Sequence, residues 1–330
     1  MSRQRKGKEN EAVHGVGTFG KIVSYVVMIL VCFISLFPVI WVAISSLKAD
    51  PLAEPGFTLP SALCFDGYIG VFRDMHIMRY FFNSFKVAGI SVVLSIIMIS
   101  MSAYVVARMN FKFKSVVSVM LMSTLFIPPT AMTFPVYNLI NSMGINDTHA
   151  GLILIYTCSG IAVSFMVIKN YFLTIPVELE EAARIDGCGY TQTFFKIMLP
   201  IARPGILTAA MLAFMNYWNE YYWASMVLTT KELKTVPAIL AQFQNAFSTN
   251  YNGMFSAIVV ILLPPVILFC CFSKLLVPLL LQISIHWDNP GHKRHKPLPL
   301  SVRLPKEWLL LVSCFFSPFS LLLPHQTVLQ

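Results

Sequence analysis

Charge is scarce in this chain, and its distribution excludes an ordinary soluble protein. Only 12% of the 330 residues are Asp, Glu, Lys or Arg, whereas 56% are hydrophobic and the mean hydropathy is +0.69. A soluble core of this length does not need so much apolar surface. Six long segments carry no charge at all: residues 22–47, 87–107, 115–146, 148–168, 204–219 and 235–273.

Patterns that would indicate catalysis or metal binding are also lacking. The seven cysteines include no C-x-x-C pair, and the histidines show no ligand spacing. Gly15–Lys21 resembles a phosphate-binding loop, but Ile22 stands where the magnesium-binding Ser or Thr would follow, and a long apolar run comes next. We therefore expect no catalytic residues, no metal site and no ATP site on this chain.

The charge-free segments predict an all-α, polytopic membrane protein. A spanning helix needs about 20 mostly apolar residues, and most of the segments reach that length. Backbone groups in lipid must be paired internally, and the alternation of a membrane barrel is absent, so the segments are expected to be helices. The predicted spans are residues 22–46, 84–108, 115–138, 150–171, 205–229 and 254–277, with a kink or break at Pro128-Pro129.

The basic residues predict the orientation of these spans. With a cytosolic N-terminus, 18 of the 24 Lys and Arg residues fall on the inner side. This positive-inside bias predicts that both termini are cytosolic in a multi-pass cell-membrane protein. It also accounts for the net charge of +9 without nucleic acid as a partner.

One polar stretch between the fourth and fifth predicted spans carries a specific pattern. Residues 181–200 read E-A-A, three residues, G, nine residues, I-x-L-P. The acidic residues before it favour a helix start, and Gly187 is a natural helix stop with a positive φ. Leu179, Ala182 and Ala183 are expected to form one small apolar face.

This pattern resembles the coupling loop of ATP-binding-cassette importer permeases. The resemblance implies a cytosolic coupling helix that docks in a groove of a separate ATPase. The positions carried over are Glu181, Ala182, Ala183, Asp186, Gly187, Ile197, Leu199 and Pro200. ATP and Mg would then belong to the partner ATPase and not to this chain.

Further short motifs look like the carbohydrate-uptake branch of these importers, in particular the second permease subunit of maltose and glycerol-phosphate type systems. They are Asn83-Ser84, Ser102-Ala103-Tyr104, Ala107-Arg108 and Trp218-Asn219-Glu220. The resemblance implies a prokaryotic cell membrane and four partners: a homologous sister permease, a dimeric ATP-binding subunit, an extracytoplasmic solute-binding protein and a small-molecule sugar. An ion-coupled secondary transporter and a non-transporting scaffold are the alternatives.

A polar and aromatic stretch in the fifth predicted span is a candidate sugar path, because sugars are bound by ring stacking and directional hydrogen bonds. Glu220 is the single charge in the interior of a predicted span, away from the span ends, and intramembrane charges are usually functional. Interfacial anchoring by Tyr and Trp is the alternative interpretation. The candidate path residues are Asn216, Trp218, Asn219, Glu220 and Tyr222.

The expected domain organisation has three parts. Residues 1–20 form a basic cytosolic N-terminal tail, residues 21–281 form the six-span permease domain, and residues 282–330 form a divergent C-terminal tail without a family counterpart. Trp308–Leu323 is apolar but short and contains Pro318, so it is a poor seventh span. An interfacial segment is the alternative interpretation of this tail.

Overall fold

The computed structural model describes residues 18–54, 56–74, 76–240 and 250–288, with only the backbone for residues 272–288. Within these ranges the chain is helical and contains no β-strand. The helices are α1 (Thr18–Ser45), α2 (Asp66–Arg73), α3 (Ile77–Arg108), α4 (Lys114–Ser123), α5 (Thr133–Ser142), α6 (His149–Cys158), α7 (Ile161–Thr174), α8 (Glu178–Ile185), α9 (Tyr190–Thr193), α10 (Leu199–Ile201), α11 (Arg203–Trp218), α12 (Tyr222–Val227), α13 (Val236–Leu240) and α14 (Tyr251–Asp288). Short 3-10 turns lie at Thr124–Phe126, Pro129–Met132 and Lys231–Leu233, and a π-helical turn lies at Phe194–Met198.

The chain divides into two units, with the boundary near the end of α1. One unit holds α1 as far as Val42, and the other begins at Ala43 and holds all the later helices. Most of the predicted N-terminal tail and of the predicted C-terminal tail lies outside the described residues. The last helix continues to Asp288, past the predicted boundary at residue 281.

Three of the described helices are long and apolar enough to cross a membrane, and bent pairs raise the number to as many as six. The three single helices are Tyr25–Ser45, Ile77–Arg108 and Tyr251–Leu268. In the bent pairs, α4 and α5 with their 3-10 turns meet at 100°, α6 and α7 at 50°, and the helical run Tyr190–Ile201 meets α11 at 76°.

The sharpest bend follows the two prolines that predicted it. Ile127 and Pro128 both have extended backbone, with ψ of 111° and 137°. Each precedes a proline, whose ring disfavours the helical conformation for the residue before it. The helix therefore stops before Pro128 and restarts after the break, which confirms the predicted break in the third span.

The bend between α6 and α7 was not predicted. Ser159 is extended, and Gly160 adopts a left-handed conformation with φ of +67° before α7 starts. The fifth span was predicted as one helix over residues 205–229, but α11 ends at Trp218 and the short α12 follows as a separate helix. The second predicted span begins earlier than residue 84, because α3 starts at Ile77.

Helix α3 is the centre of the second unit. It packs most extensively against α7 and then against α6 and α11. Near Arg108 the core contains Ala103, Phe165 and Met198, and towards Ile77 it contains Val87, Tyr156 and Trp218.

Side chains at the Ile77 end hold the loop between α12 and α13. Asp147 accepts hydrogen bonds from the backbone N–H groups of Thr229 and Thr230, at 2.8 and 3.0 Å. Asn83 donates to the carbonyls of Glu232 and Lys234, at 2.9 and 3.0 Å. This loop is therefore fixed to both α3 and the start of α6.

Candidate functional site

The sequence 178–201, named here the EAA segment, folds as two short helical pieces joined at Gly187. Val177 is the N-cap of α8, and Glu178, Glu180 and Glu181 occupy the first turn. Their negative charges lie at the positive end of the helix dipole, which stabilises the start of α8.

The end of α8 has a Schellman motif. Gly187 has φ of +81° and donates to the carbonyl of Arg184 at 3.0 Å, while the N–H of Cys188 donates to Ala183 at 2.9 Å. Asp186 is the C-cap, so Gly187 occupies the left-handed position that follows it. The predicted helix stop with a positive φ at Gly187 is confirmed.

The two alanines of the EAA segment lie on different faces of α8. Ala183 is buried within its own chain, whereas Ala182 is exposed together with Leu179 and Ile185. The expectation that Ala182 and Ala183 share one outward face is therefore wrong. Consecutive helical residues are rotated by about 100°, and Glu180 and Ala183, three apart, form the inward face.

The second piece of the EAA segment is helical through Pro200. The N–H of Leu199 donates to the carbonyl of Phe194, five residues back, which defines the π-helical turn. Such a wider turn accommodates a proline, which has no N–H to donate and clashes with the carbonyl four residues earlier. Phe194 and Met198 are buried, while Ile197, Leu199 and Pro200 are half-buried.

A buried ion pair that was not predicted from the sequence joins the EAA segment to α3. Arg108 Nε lies 2.9 Å from Glu180 Oε1, and the two side chains are 8% and 7% exposed. The contact is an ion pair without the alignment of a hydrogen bond. Arg108 also donates through Nη2 to the carbonyl of Ile175, the C-cap of α7. The one feature of the sequence that could have indicated this ion pair is the position of Glu180, three residues before Ala183 and therefore on the same face of α8.

Glu220, the candidate path carboxylate, is held by its own chain. Its Oε1 accepts the N–H of Trp223 at 2.9 Å, and its Oε2 accepts the N–H of Ala224 at 3.1 Å. The hydroxyl of Tyr156 also donates to Oε2 at 2.7 Å. Glu220 therefore caps α12 and ties it to α6, an arrangement that stabilises a helix start.

Three other candidate path residues also have partners within the chain. Trp218 is only 1% exposed and packs between Phe81 and Phe214, with ring centroids 5.6 and 5.7 Å away. Asn219 donates to the carbonyl of Met215 at 2.9 Å, and the Tyr222 hydroxyl forms a hydrogen bond with Thr133. Trp218 therefore belongs to the core.

Asn216 differs from the other four, because it is exposed in the last part of α11. It lies beside the break between α6 and α7: a Cβ added to Gly160 would be 3.4 Å from Asn216 Nδ2. The adjacent Tyr217 donates its hydroxyl to the carbonyl of Ser159 at 3.1 Å. The Ser159-Gly160 pair inside an apolar run is the sequence feature from which this break could have been predicted.

The helical fold agrees with what comparison with known proteins shows. The family described as "Binding-protein-dependent transport system inner membrane component" matches residues 95–282. This chain belongs to that family and is a membrane permease component of the ATP-binding-cassette importer type.

Individual relatives cover most of the chain. It is 31% identical to the probable ABC transporter permease protein YurM of Bacillus subtilis, over 78% of this chain and 86% of the relative. It is 30% identical to the sulfoquinovosyl glycerol transport system permease protein SmoH of Agrobacterium fabrum, over 80% and 94% of the two chains. It is 32% identical to the trehalose transport system permease protein SugB of Mycobacterium tuberculosis, over 75% and 91%.

A solved structure shares the fold. A chain from the crystal structure of a bacterial ABC transporter involved in the import of the acidic polysaccharide alginate matches with a TM-score of 0.67 and 23% identity. The match covers 77% of this chain and 95% of that one. The alternatives, an ion-coupled transporter and a scaffold, are not favoured by these findings.

Proposed function

We propose that this chain is the permease subunit of an ATP-driven importer for a sugar or sugar derivative. The observation that carries the proposal is the EAA segment, a capped helix that presents Leu179, Ala182 and Ile185 outward in a chain of an importer family. This exposed apolar edge is small enough to enter a groove on a partner protein. The roles of Glu181, Asp186 and Gly187 in that contact belong to the same proposal.

The proposed topology has six spans with both termini cytosolic, in a prokaryotic cell membrane. It counts each of the three bent pairs as one span beside the three single helices. Arg108, Lys112 and Lys114 then lie on the cytosolic side, at and just beyond the inner end of α3, as the positive-inside rule favours. The EAA segment lies on the same side, with α8 between the fourth and fifth spans and its second piece, Tyr190–Ile201, at the inner end of the fifth.

The proposed mechanism is alternating access driven from outside this chain. A dimeric ATPase that holds ATP and Mg closes on nucleotide binding and draws the EAA segments of this chain and of a sister permease together. The attached spans then turn from inward-facing to outward-facing. An extracytoplasmic binding protein delivers the sugar at that stage.

The sugar class is supported by two observations. The relatives SmoH and SugB are named for a sulfoquinovosyl glycerol and for trehalose. Asn216 is an exposed amide within a span, beside a helix break whose freed backbone groups suit a polar cavity rather than lipid. An amide both donates and accepts, which fits sugar hydroxyls.

The test is reconstitution of the complete complex in proteoliposomes with its sister permease, ATPase and binding protein. We expect one sugar of a panel to stimulate ATP hydrolysis and to be taken up in an ATP-dependent manner. Uptake driven by an ion gradient without ATP would instead support a secondary transporter, and hydrolysis insensitive to every sugar would contradict the sugar class.

A substitution at Asn216 tests whether this residue belongs to the sugar path. Asn216→Ala should raise the KM for uptake by about three- to tenfold, the value of one lost hydrogen bond, with normal complex yield. Asn141→Ala is the matched control, since Asn141 is an exposed amide at the end of α5. Equal uptake by both variants and the unmodified chain would remove Asn216 from the path.

A further inference from the structure

Glu180 is placed differently from the other acidic residues of α8. Glu178 and Glu181 are exposed, whereas the Glu180 side chain is 7% exposed. A carboxylate is costly to bury unless an opposite charge compensates it. The compensating charge is Arg108 at 2.9 Å, the last residue of α3.

The guanidinium of Arg108 joins three helix ends at once. It is in the last turn of α3, it donates to the carbonyl of Ile175 that closes α7, and it pairs with Glu180 in the first turn of α8. A cation is favoured at the C-terminal ends of helices and a carboxylate at an N-terminal end. Guanidinium is planar and carries several N–H groups, so it donates to the Ile175 carbonyl while its charge stays beside the Glu180 carboxylate.

A second contact lies one turn earlier on the same face of α3. Tyr104 is 3% exposed, and its ring centroid lies 5.6 Å from that of Phe172 on α7 and 5.1 Å from that of Phe194 in the π-helical turn. Residues four apart in a helix lie above one another. Tyr104 and Arg108 therefore hold both pieces of the EAA segment against α3.

We propose that Arg108 is a positioning residue for energy coupling, whose pairing with Glu180 makes the EAA segment and α3 move as one body. A force applied to the outward face of α8 then reaches α3, the helix on which α6, α7 and α11 pack. This role rests on the proposed function, because it requires a partner ATPase that acts on α8.

The test uses the reconstituted importer and the variants Arg108→Met, Glu180→Gln and the combination of the two. Each single variant leaves one buried group of the pair without its partner, and its complex yield is expected to fall. The double variant removes both charges, so no buried charge is left uncompensated and assembly is expected to be normal. Binding-protein-stimulated ATP hydrolysis and uptake should nevertheless fall by about tenfold or more, a typical strength of coupling between contacting charges.

Lys112→Met is the matched control. Lys112 is an exposed basic residue shortly after Arg108, and its ammonium lies 5.9 Å from the Phe113 ring centroid. It should keep stimulated hydrolysis and uptake. Arg108→Lys should recover less than half of the stimulation, because an ammonium lacks the fork that reaches both Ile175 and Glu180.

The outcomes separate this inference from the proposed function. Normal stimulation in the double variant, with normal assembly, would overturn the positioning role and leave the importer assignment standing. The positioning role would also be overturned if the fold-losses of stimulation in the two single variants multiplied to give the fold-loss of the double variant. Such a product would show that Arg108 and Glu180 act independently. Absence of stimulation in the unmodified complex would overturn the proposed function, and the role of Arg108 with it.

Discussion

At the scale of single residues, Asn216 and Glu220 have different surroundings although both belong to one polar stretch. They are four residues apart, but the Glu220 carboxylate accepts three hydrogen bonds from its own chain, while Asn216 is exposed beside Gly160. The Glu220 carboxylate therefore acts as a cap of α12, and its place in the candidate sugar path stays a prediction. Asn216 remains the candidate for contact with substrate.

Glu220→Gln is expected to destabilise the α12 region by about 0.5–2 kcal/mol, the usual loss for a helix cap. The amide NH₂ of Gln cannot accept, so at least one of the three hydrogen bonds is lost. Thermal unfolding of the purified complex measures the effect. Tyr221→Phe is a control at an exposed neighbouring position. Unchanged thermal stability together with lost uptake would restore Glu220 to the sugar path.

The contacts of Asp147 lead us to expect that the loop between α12 and α13 becomes less stable in acid. Hydrogen bonds from the Thr230 side chain and from the backbone N–H groups of Thr230 and Thr229 hold the pKa of this carboxyl below its usual value of 3.8. A carboxyl with a lowered pKa stabilises the fold above its usual pKa, and this contribution is lost as the pH falls through the lowered value.

Asp147→Asn should therefore make local hydrogen exchange at Thr229 and Thr230 faster at neutral pH. It should also remove part of the acceleration that the unmodified protein shows below about pH 4. Hydrogen exchange with mass spectrometry measures both. Identical pH profiles for the two proteins would exclude Asp147 as the clamp.

At the scale of the helical element, α8 has a buried face and an exposed face, and the exposed face is the one proposed to contact the ATPase. Ala183→Leu should lower the stability of the chain by about 1–3 kcal/mol, because Ala183 is buried and the larger side chain overpacks its site. Ala182→Leu should change stability by less than about 0.5 kcal/mol, since Ala182 is exposed, and should weaken ATPase binding. Co-purification of the ATPase and thermal unfolding distinguish the two. Equal effects on both measurements would contradict the assigned faces.

The need for a glycine at the end of α8 can be tested by substitution, with Gly189 as the control position. Gly187 has φ of +81° and Gly189 has φ of −72°, and an added Cβ meets nothing within 4 Å at either position. Gly187→Ala should therefore cost about 1 kcal/mol through backbone strain alone, whereas Gly189→Ala should be nearly neutral. Thermal unfolding compares the variants. A neutral Gly187→Ala would show that the Schellman motif is not needed to end α8.

At the scale of the whole molecule, the proposed six-span topology is open to direct measurement. Reporter fusions at Asn146 and Leu233 should report the outside, and fusions at Lys112 and Gly189 should report the cytosol. The 18 basic residues assigned to the inner side give the physical reason. A cytosolic signal from Leu233, or an outside signal from Gly189, would contradict the topology.

The sequence by itself determined the class of protein, most of the helical runs, the break at Pro128-Pro129 and the helix stop at Gly187. Apolar length, the Pro128-Pro129 pair and the glycine after α8 act over a few residues, so their consequences can be read locally. The pattern of residues 181–200 is equally local, because all its fixed positions lie in one continuous stretch, and it indicates the family on its own.

Only the tertiary structure decided which faces are buried and which polar groups meet. Arg108 forms an ion pair with Glu180. The Glu220 carboxylate caps α12 and accepts a hydrogen bond from the Tyr156 hydroxyl. Ala183 is buried, although the sequence spacing predicted that it shares an outward face with Ala182. The break at Gly160 matters because Asn216 of α11 lies against it. These contacts join residues far apart in the chain, and helical periodicity shows that a face exists without showing what lies opposite to it.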